Sequence, residues 1–192
     1  MNASNSMELA EPLAYLSVGG QPGDWAPVSQ TRVPVLDRGF IFGDGVYEVV
    51  PIYGGRPFRI EQHLARLARS LRELRIDDPQ DAAGWTSLVE QLASRNAHLG
   101  ADLMVYLQIT RGVAKRDHAF PKGAIPTVFG MANPWSRPTQ EQIERGLATV
   151  SMDDNRWGRC DIKAIALLGN VLARQYAVDH DAAEVIMFRD GY

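Results

Sequence analysis

The sequence predicts an α/β (mixed α+β) fold arranged as two domains, and three observations support this. β-rich stretches alternate with stretches that have the apolar periodicity of helices. Residues 133–138 contain two prolines, which do not fit a helix interior or a central strand. A second strand, helix and strand pattern follows them. We therefore predict an N-terminal α/β domain over residues 1–132, a linker over 133–138 and a C-terminal domain over 139–192.

The N-terminal domain is predicted to contain five strands and two helices after a loose tail over residues 1–12. Residues 19–27 are rich in turn formers, and Gly54 and Gly55 predict a hairpin turn. Apolar residues at helical spacing predict helices over residues 61–75 and 81–96. The predicted strands are residues 14–18, 46–53, 57–60, 103–110 and 125–131.

The C-terminal domain is predicted to be incomplete. Its strands are expected over residues 147–151 and 184–188, with a helix between them. A turn signal at residues 189–191 has no partner strand after it, which indicates a fragment of a larger domain. We therefore expect exposed apolar side chains on both strands.

Composition excludes several classes of protein. The chain has 192 residues and a net charge of −3, which gives no reason to expect nucleic acid or a membrane surface as a partner. Cys160 is its only cysteine, so no intrachain disulfide is possible. No signal peptide or bilayer-spanning run is apparent, and no residue is assigned to a metal site. A cytoplasmic protein is the expectation.

Lys163 is the first candidate for chemistry. Ile165, Leu168, Val171 and Leu172 follow it at helical spacing and are expected to form the buried face of a helix. We therefore expect Lys163 at or just before the start of this partly buried helix. The helix dipole and burial would both favour the neutral amine there, and a neutral amine attacks carbonyl groups to form a Schiff base. A surface lysine in a connecting loop is the alternative that the local pattern leaves open.

Three motifs together resemble the fold-type IV pyridoxal-phosphate enzymes, which include branched-chain aminotransferases, D-amino-acid aminotransferases and aminodeoxychorismate lyases. They are LDRGFIFGDGVYE at 36–48, HLARL at 63–67, and RCDIK at 159–163 with LLGNVLA at 167–173. The likeness runs from about Leu13 to the C-terminus. It implies that Lys163 is the Schiff-base lysine and proton carrier, and that Arg66 binds the phosphate of pyridoxal 5'-phosphate. On composition alone, Arg66 would instead belong to a solvated helix face.

The loop TRGVAKRDHAFP at 110–121 resembles the substrate loop of D-amino-acid aminotransferases, with Arg116 and His118 as its R-x-H pair. The resemblance implies that this pair and Tyr47 bind the substrate carboxylate, which suits their hydrogen-bond donors. Val49 shares the strand face of Tyr47 and is expected to line the side-chain pocket. A flexible basic loop is the alternative.

One feature of the family is missing from the sequence. The family places a glutamate, which pairs with the pyridine nitrogen, beyond the last strand. Glu184 comes too early to match it, and the sequence stops before the expected position. The electron-sink partner is therefore expected to be absent from this chain.

The resemblance predicts transamination between a D-amino acid such as D-alanine and a 2-oxo acid such as 2-oxoglutarate, giving pyruvate and D-glutamate, by a homodimer. Branched-chain L-amino-acid transamination and aminodeoxychorismate lysis are the alternatives within the family. An inactive fragment or an interaction module is the alternative of another class.

Overall fold

The computed structural model describes residues 11–192, which form two compact units of mixed α/β structure. The first unit holds the described residues up to Trp135 together with Lys163–Ile165. The second holds Ser136–Ile162 and Ala166–Tyr192. Most of the predicted tail, residues 1–10, lies outside the described residues. The mixed α/β fold class is confirmed.

A six-stranded antiparallel sheet forms the frame of the first unit. The strands are β1 (Leu13–Ser17), β2 (Asp24–Pro27), β3 (Gly45–Tyr53), β4 (Arg56–Pro57), β5 (Leu103–Thr110) and β6 (Thr127–Pro134). Their order in the sheet is β2-β1-β6-β5-β3-β4, and β3 and β5 pair along eight residues, from Gly45 with Thr110 to Ile52 with Leu103. This register puts Tyr47 of β3 beside Gln108 of β5.

Two helices cover one face of this sheet, α2 (Ile60–Leu74) against β3 and α3 (Ala82–Arg95) against β5 and β6. Strand side chains alternate, so every second residue of β3 and β5 is buried beneath the helices. Each large apolar side chain in this core contributes about 1.5–3 kcal/mol by leaving water. The core side chains include Val46, Val50, Ile52, Val105, Leu107, Ile109, Leu67, Leu71, Trp85 and Leu92.

A short helix that the sequence did not predict, α1 (Arg38–Phe42), precedes β3. Asp37 caps it by accepting a hydrogen bond from the backbone N–H of Gly39 at 2.8 Å. Gly43 ends it with a φ of 66°, a left-handed conformation that favours glycine. Gly39 thus lies inside a helix and Gly43 ends it, where the sequence predicted only tight backbone geometry.

Several strands of the first unit differ from the predicted strands. β2 lies inside the stretch that was assigned to turns. The returning strand β4 has only two residues, because α2 begins at Ile60. β6 continues to Pro134, and its last residues pair with Leu103 and Met104 of β5.

The second unit contains a parallel pair of strands joined through a helix. It consists of α4 (Gln140–Arg145), β7 (Thr149–Asp153), α5 (Leu168–Asp179) and β8 (Glu184–Phe188). Ile186 and Phe188 of β8 are exposed, as the sequence predicted. The same prediction was wrong for β7, where Val150 and Met152 are half-buried. Within residues 11–192, the structure contains no helix with the length and apolar character of a membrane span.

The predicted buried face of the helix after Lys163 was wrong. Leu168 and Val171 of α5 are 72% and 60% exposed, while Ala173 and Ala177 are buried. α5 packs against β8, and the small alanine side chains allow the helix to approach the strand closely.

Candidate active site

Lys163 lies at the edge of β3. The backbone N–H of Tyr47 donates to the Lys163 carbonyl at 2.9 Å, and that of Ile165 donates to Gly45 at 3.1 Å. Ala164 forms a bridge with Val46 and is buried on the helix-covered face. Because side chains alternate along extended backbone, Lys163 lies on the opposite face with Tyr47. Its Nζ is 3.8 Å from the centroid of the Tyr47 ring, a cation–π contact.

The predicted placement of Lys163 at a helix start was wrong, because α5 begins only at Leu168. The helix dipole therefore does not act on this amine, since that effect is confined to the first turn. Lys163 is held by the bridge to β3 and by α2, where its backbone N–H donates to the Oγ of buried Ser70 at 3.3 Å. Lys163 thus lies beside a phenol ring on a half-buried surface, whereas the alternative was a lysine in a solvated loop.

Arg66 is held by Glu48, a carboxylate that is fully buried beneath α2. The Nε of Arg66 donates to the Glu48 Oε2 at 2.8 Å, and its Nη2 donates to the Oε1. The Nδ1 of His63 lies 3.1 Å from the same Oε1, and the N–H of Val49 donates to it at 3.0 Å. The carboxylate thus fixes the guanidinium, while the Arg66 side chain remains 45% exposed.

These contacts determine the charges of the cluster. Burial raises the pKa of Glu48, but hydrogen bonds from Arg66, Val49 and His63 outweigh it and hold the pKa below its usual value. The hydrogen bond to Glu48 raises the pKa of Arg66. The Arg66 guanidinium therefore stays positively charged. Glu48 holds one side of it, and its exposed side is accessible to an anion.

We expect Glu48→Gln to lower the free energy of unfolding at pH 7 by about 1–3 kcal/mol, because a buried charge-assisted pair is lost. The folded pKa of Glu48 lies below the unfolded value. Its stabilisation is therefore complete above the unfolded pKa of about 4.3, and is lost as pH falls through the folded pKa. Urea unfolding of wild type and variant between pH 3 and 7 measures both effects.

Glu90→Gln is the matched control, since Glu90 is an exposed glutamate of α3. It should change stability by less than about 0.5 kcal/mol. Equal loss in both variants, or the same acid dependence in Glu48→Gln as in wild type, contradicts the role given to Glu48.

Arg116 and His118 lie on an exposed loop of the first unit and are brought together by Phe42. The guanidinium of Arg116 lies 5.4 Å from the centroid of the Phe42 ring, and the His118 ring centroid also lies 5.4 Å from it. The predicted pair is thus formed by shared packing on α1. Lys163 packs elsewhere, on Tyr47.

Tyr47 and Val49 lie on the sheet face opposite α2, next to Tyr106 of β5. The Tyr47 ring stacks on the Tyr106 ring with centroids 5.7 Å apart, and Val49 is the cross-strand partner of Tyr106. The Tyr106 hydroxyl donates to the Gln108 Oε1 at 2.7 Å. Burial raises the pKa of Tyr106 to about 12, so this phenol stays neutral. The face around Tyr47 therefore carries two stacked phenol rings and the amine of Lys163.

Two functional candidates were missed in the sequence. Glu48 was not predicted to have a role, although a glutamate that alternates with buried Val46 and Val50 is itself buried and needs a partner. Tyr106 was predicted only as a strand residue. Its alternation with Val105 and Leu107 would have placed it on the face of Tyr47 once the pairing of the strands was known.

Comparisons with known proteins give a consistent result. The family model described as Amino-transferase class IV matches residues 45–191. A D-alanine aminotransferase of Bacillus licheniformis is 42% identical over 163 residues, covering 85% of this chain and 56% of the relative. One of Staphylococcus aureus (strain N315) is 38% identical over 169 residues, covering 87% of this chain and 58% of the relative.

A solved structure shares the fold at lower identity. The branched-chain amino acid aminotransferase of Escherichia coli has a TM-score of 0.80 and is 20% identical to this chain. The match covers 94% of this chain and 60% of that one. The chain thus spans less than two thirds of the length of the proteins that it resembles.

Proposed function

The chain belongs to the class IV aminotransferase family, and from this premise we propose that its protein is a pyridoxal-phosphate-dependent D-amino-acid aminotransferase. The amino group of a D-amino acid such as D-alanine is transferred to a 2-oxo acid such as 2-oxoglutarate. The products are pyruvate and D-glutamate. One observation supports this most strongly: near the start of β3, Lys163 holds its amine over Tyr47 on one face of the sheet, and the next residue, Glu48, holds the Arg66 guanidinium on the other.

The residues at this end of β3 fit the cofactor. The Lys163 amine suits an aldehyde, and the exposed side of the Arg66 guanidinium suits a phosphate, which planar guanidinium groups bind through paired hydrogen bonds. When bound, pyridoxal phosphate supplies an electron sink for the substrate α-carbon. Lys163 is the general base at that carbon, and Arg66 anchors the phosphate.

The substrate α-carboxylate is proposed to bind to Arg116, His118 and Tyr47. Arg116 and His118 provide donors on an exposed loop, and Tyr47 provides a phenol beside the lysine. Val49, next to Tyr47 on the same sheet face, is proposed to line the pocket for the substrate side chain.

A homodimer is part of the proposal, because exposed apolar side chains surround the substrate loop. Phe40 on α1 is 76% exposed, and Val35, Phe120 and Val113 are exposed as well. A patch of this kind is typical of an interface between protein chains. Sedimentation equilibrium of the complete protein at micromolar concentration is expected to give a dimer, and a monomer would contradict this part.

The function is tested by comparing kcat/KM for D-alanine and L-leucine, each with 2-oxoglutarate. The complete protein is used, with any sequence that flanks residues 1–192. We expect D-alanine to be preferred by about 100-fold or more, because a carboxylate held by fixed donors presents the α-hydrogen of one enantiomer to Lys163. A preference for L-leucine would instead support branched-chain transamination.

A further inference from the structure

We propose that Arg38 is a positioning residue for the Arg116–His118 pair, because its buried guanidinium holds the backbone between these two side chains. The inference rests on the proposed function, in which the pair binds the substrate carboxylate. It assigns a role to the LDRG motif before β3, whose arginine lies outside the site described above.

Arg38 belongs to a buried network centred on Asp44. The Nε of Arg38 donates to the Asp44 Oδ2 at 2.7 Å. Arg111 donates to both carboxylate oxygens, from Nε to Oδ2 at 2.8 Å and from Nη2 to Oδ1 at 2.9 Å. Burial raises the pKa of Asp44, but Arg111 and Arg38 outweigh it and hold the pKa low. Both arginine side chains are at least nine-tenths buried.

From this network Arg38 reaches the substrate loop directly. Its Nη1 donates to the backbone carbonyl of Asp117, the residue between Arg116 and His118, at 2.6 Å. Its guanidinium also lies 4.7 Å from the centroid of the Phe42 ring. Since Arg116 and His118 pack on that ring, Arg38 acts on the pair through the Asp117 carbonyl and through Phe42.

Arg111 holds the two ends of the same loop. It begins the loop at the end of β5, and its guanidinium lies 3.7 Å from the centroid of the Phe120 ring. It also donates to the carbonyls of Leu74 and Arg75, where α2 ends. The loop is therefore fixed at its ends by Arg111 and at its centre by Arg38.

The contact of Arg38 with the loop goes beyond stabilising a buried charge. Asp44 keeps two hydrogen bonds from Arg111 when Arg38 is replaced, so its charge stays paired. The hydrogen bond from Arg38 to Asp117 orients the peptide on which Arg116 and His118 depend. Loss of Arg38 should thus free the loop while the unit stays folded.

The test is Arg38→Gln in the complete protein with pyridoxal phosphate bound. We expect KM for D-alanine to rise about tenfold, since a hydrogen bond to a charged group is lost, with kcat and cofactor affinity within about twofold of wild type. Hydrogen exchange of the amides over residues 113–120 should become faster. Arg95→Gln, which removes a guanidinium that lies over Trp25, is the matched control. It should change neither KM for D-alanine nor hydrogen exchange in the loop.

Unchanged exchange in the loop of Arg38→Gln overturns the positioning role, whatever the activity. Faster exchange with unchanged KM overturns its consequence for substrate binding. If Arg38→Gln does not fold, Phe42→Leu removes the ring that joins Arg38 to the pair without changing charge, and the same two measurements decide. If wild type does not use D-alanine, the proposed function fails, while the exchange measurement still tests the positioning of the loop.

Discussion

Lys163→Ala is expected to lower the rate of D-alanine transamination by about 10⁴-fold, the upper range for loss of a general acid–base group. The amine of Lys163 is the only group on the aromatic sheet face around Tyr47, within the described residues, that can serve as nucleophile toward an aldehyde. The variant should still fold, because the bonds that join this segment to β3 come from backbone atoms. Single-turnover assays with D-alanine measure the loss.

The chain supplies matched controls for this prediction, since it contains only two other lysines, Lys115 and Lys122. Both are exposed. Lys115→Ala and Lys122→Ala should keep activity within about threefold of wild type, as expected for surface changes. Wild-type activity in a folded Lys163→Ala sample would contradict the assignment of the catalytic lysine.

Loss of Arg66 is expected to weaken binding of pyridoxal phosphate by about 10- to 100-fold, because charge-assisted hydrogen bonds to the phosphate are removed. Arg66→Met alone would leave the buried Glu48 without its main partner, which is strongly destabilising. We therefore expect the clearest result from Glu48→Gln combined with Arg66→Met, which removes both charges. Fluorescence titration with the cofactor measures the dissociation constant.

Two variants separate the phosphate role of Arg66 from general effects of charge. Arg72→Met removes an exposed arginine from the last turn of α2 and should leave the dissociation constant unchanged. Glu48→Gln alone should weaken cofactor binding less than the double variant, because Arg66 is still present. Equal affinity in the double variant and in wild type would contradict a phosphate contact.

Local sequence patterns predicted the parts of the fold that depend on local periodicity. The bounds of β5 and β8 coincide with the predicted strands, and α2 and α3 begin and end within a residue of prediction. Each of these elements has one strong period, either the alternation of a half-buried strand or the stripe of an amphipathic helix. Nonlocal contacts play a small part in where such elements begin and end.

The site depends on pairing that is distant in sequence, and there local patterns failed. Lys163 is positioned by β3, more than a hundred residues earlier, so no local pattern around it indicates an extended segment. The apolar stripe of α5 was predicted to be buried, but the buried residues of this helix are Ala173 and Ala177. Small side chains let a helix pack closely against its neighbour, and their burial is not indicated by hydrophobic periodicity. The ion pair of Glu48 was not predicted, because its partner Arg66 belongs to α2, a different element.

Borohydride reduction can show directly which lysine of the chain binds the cofactor. The complete protein is mixed with pyridoxal phosphate, reduced with borohydride, digested, and mapped by mass spectrometry. We expect a single pyridoxyl group on Lys163, absent from Lys163→Ala. A label on Lys115 or Lys122, or no label in a folded sample, would contradict it.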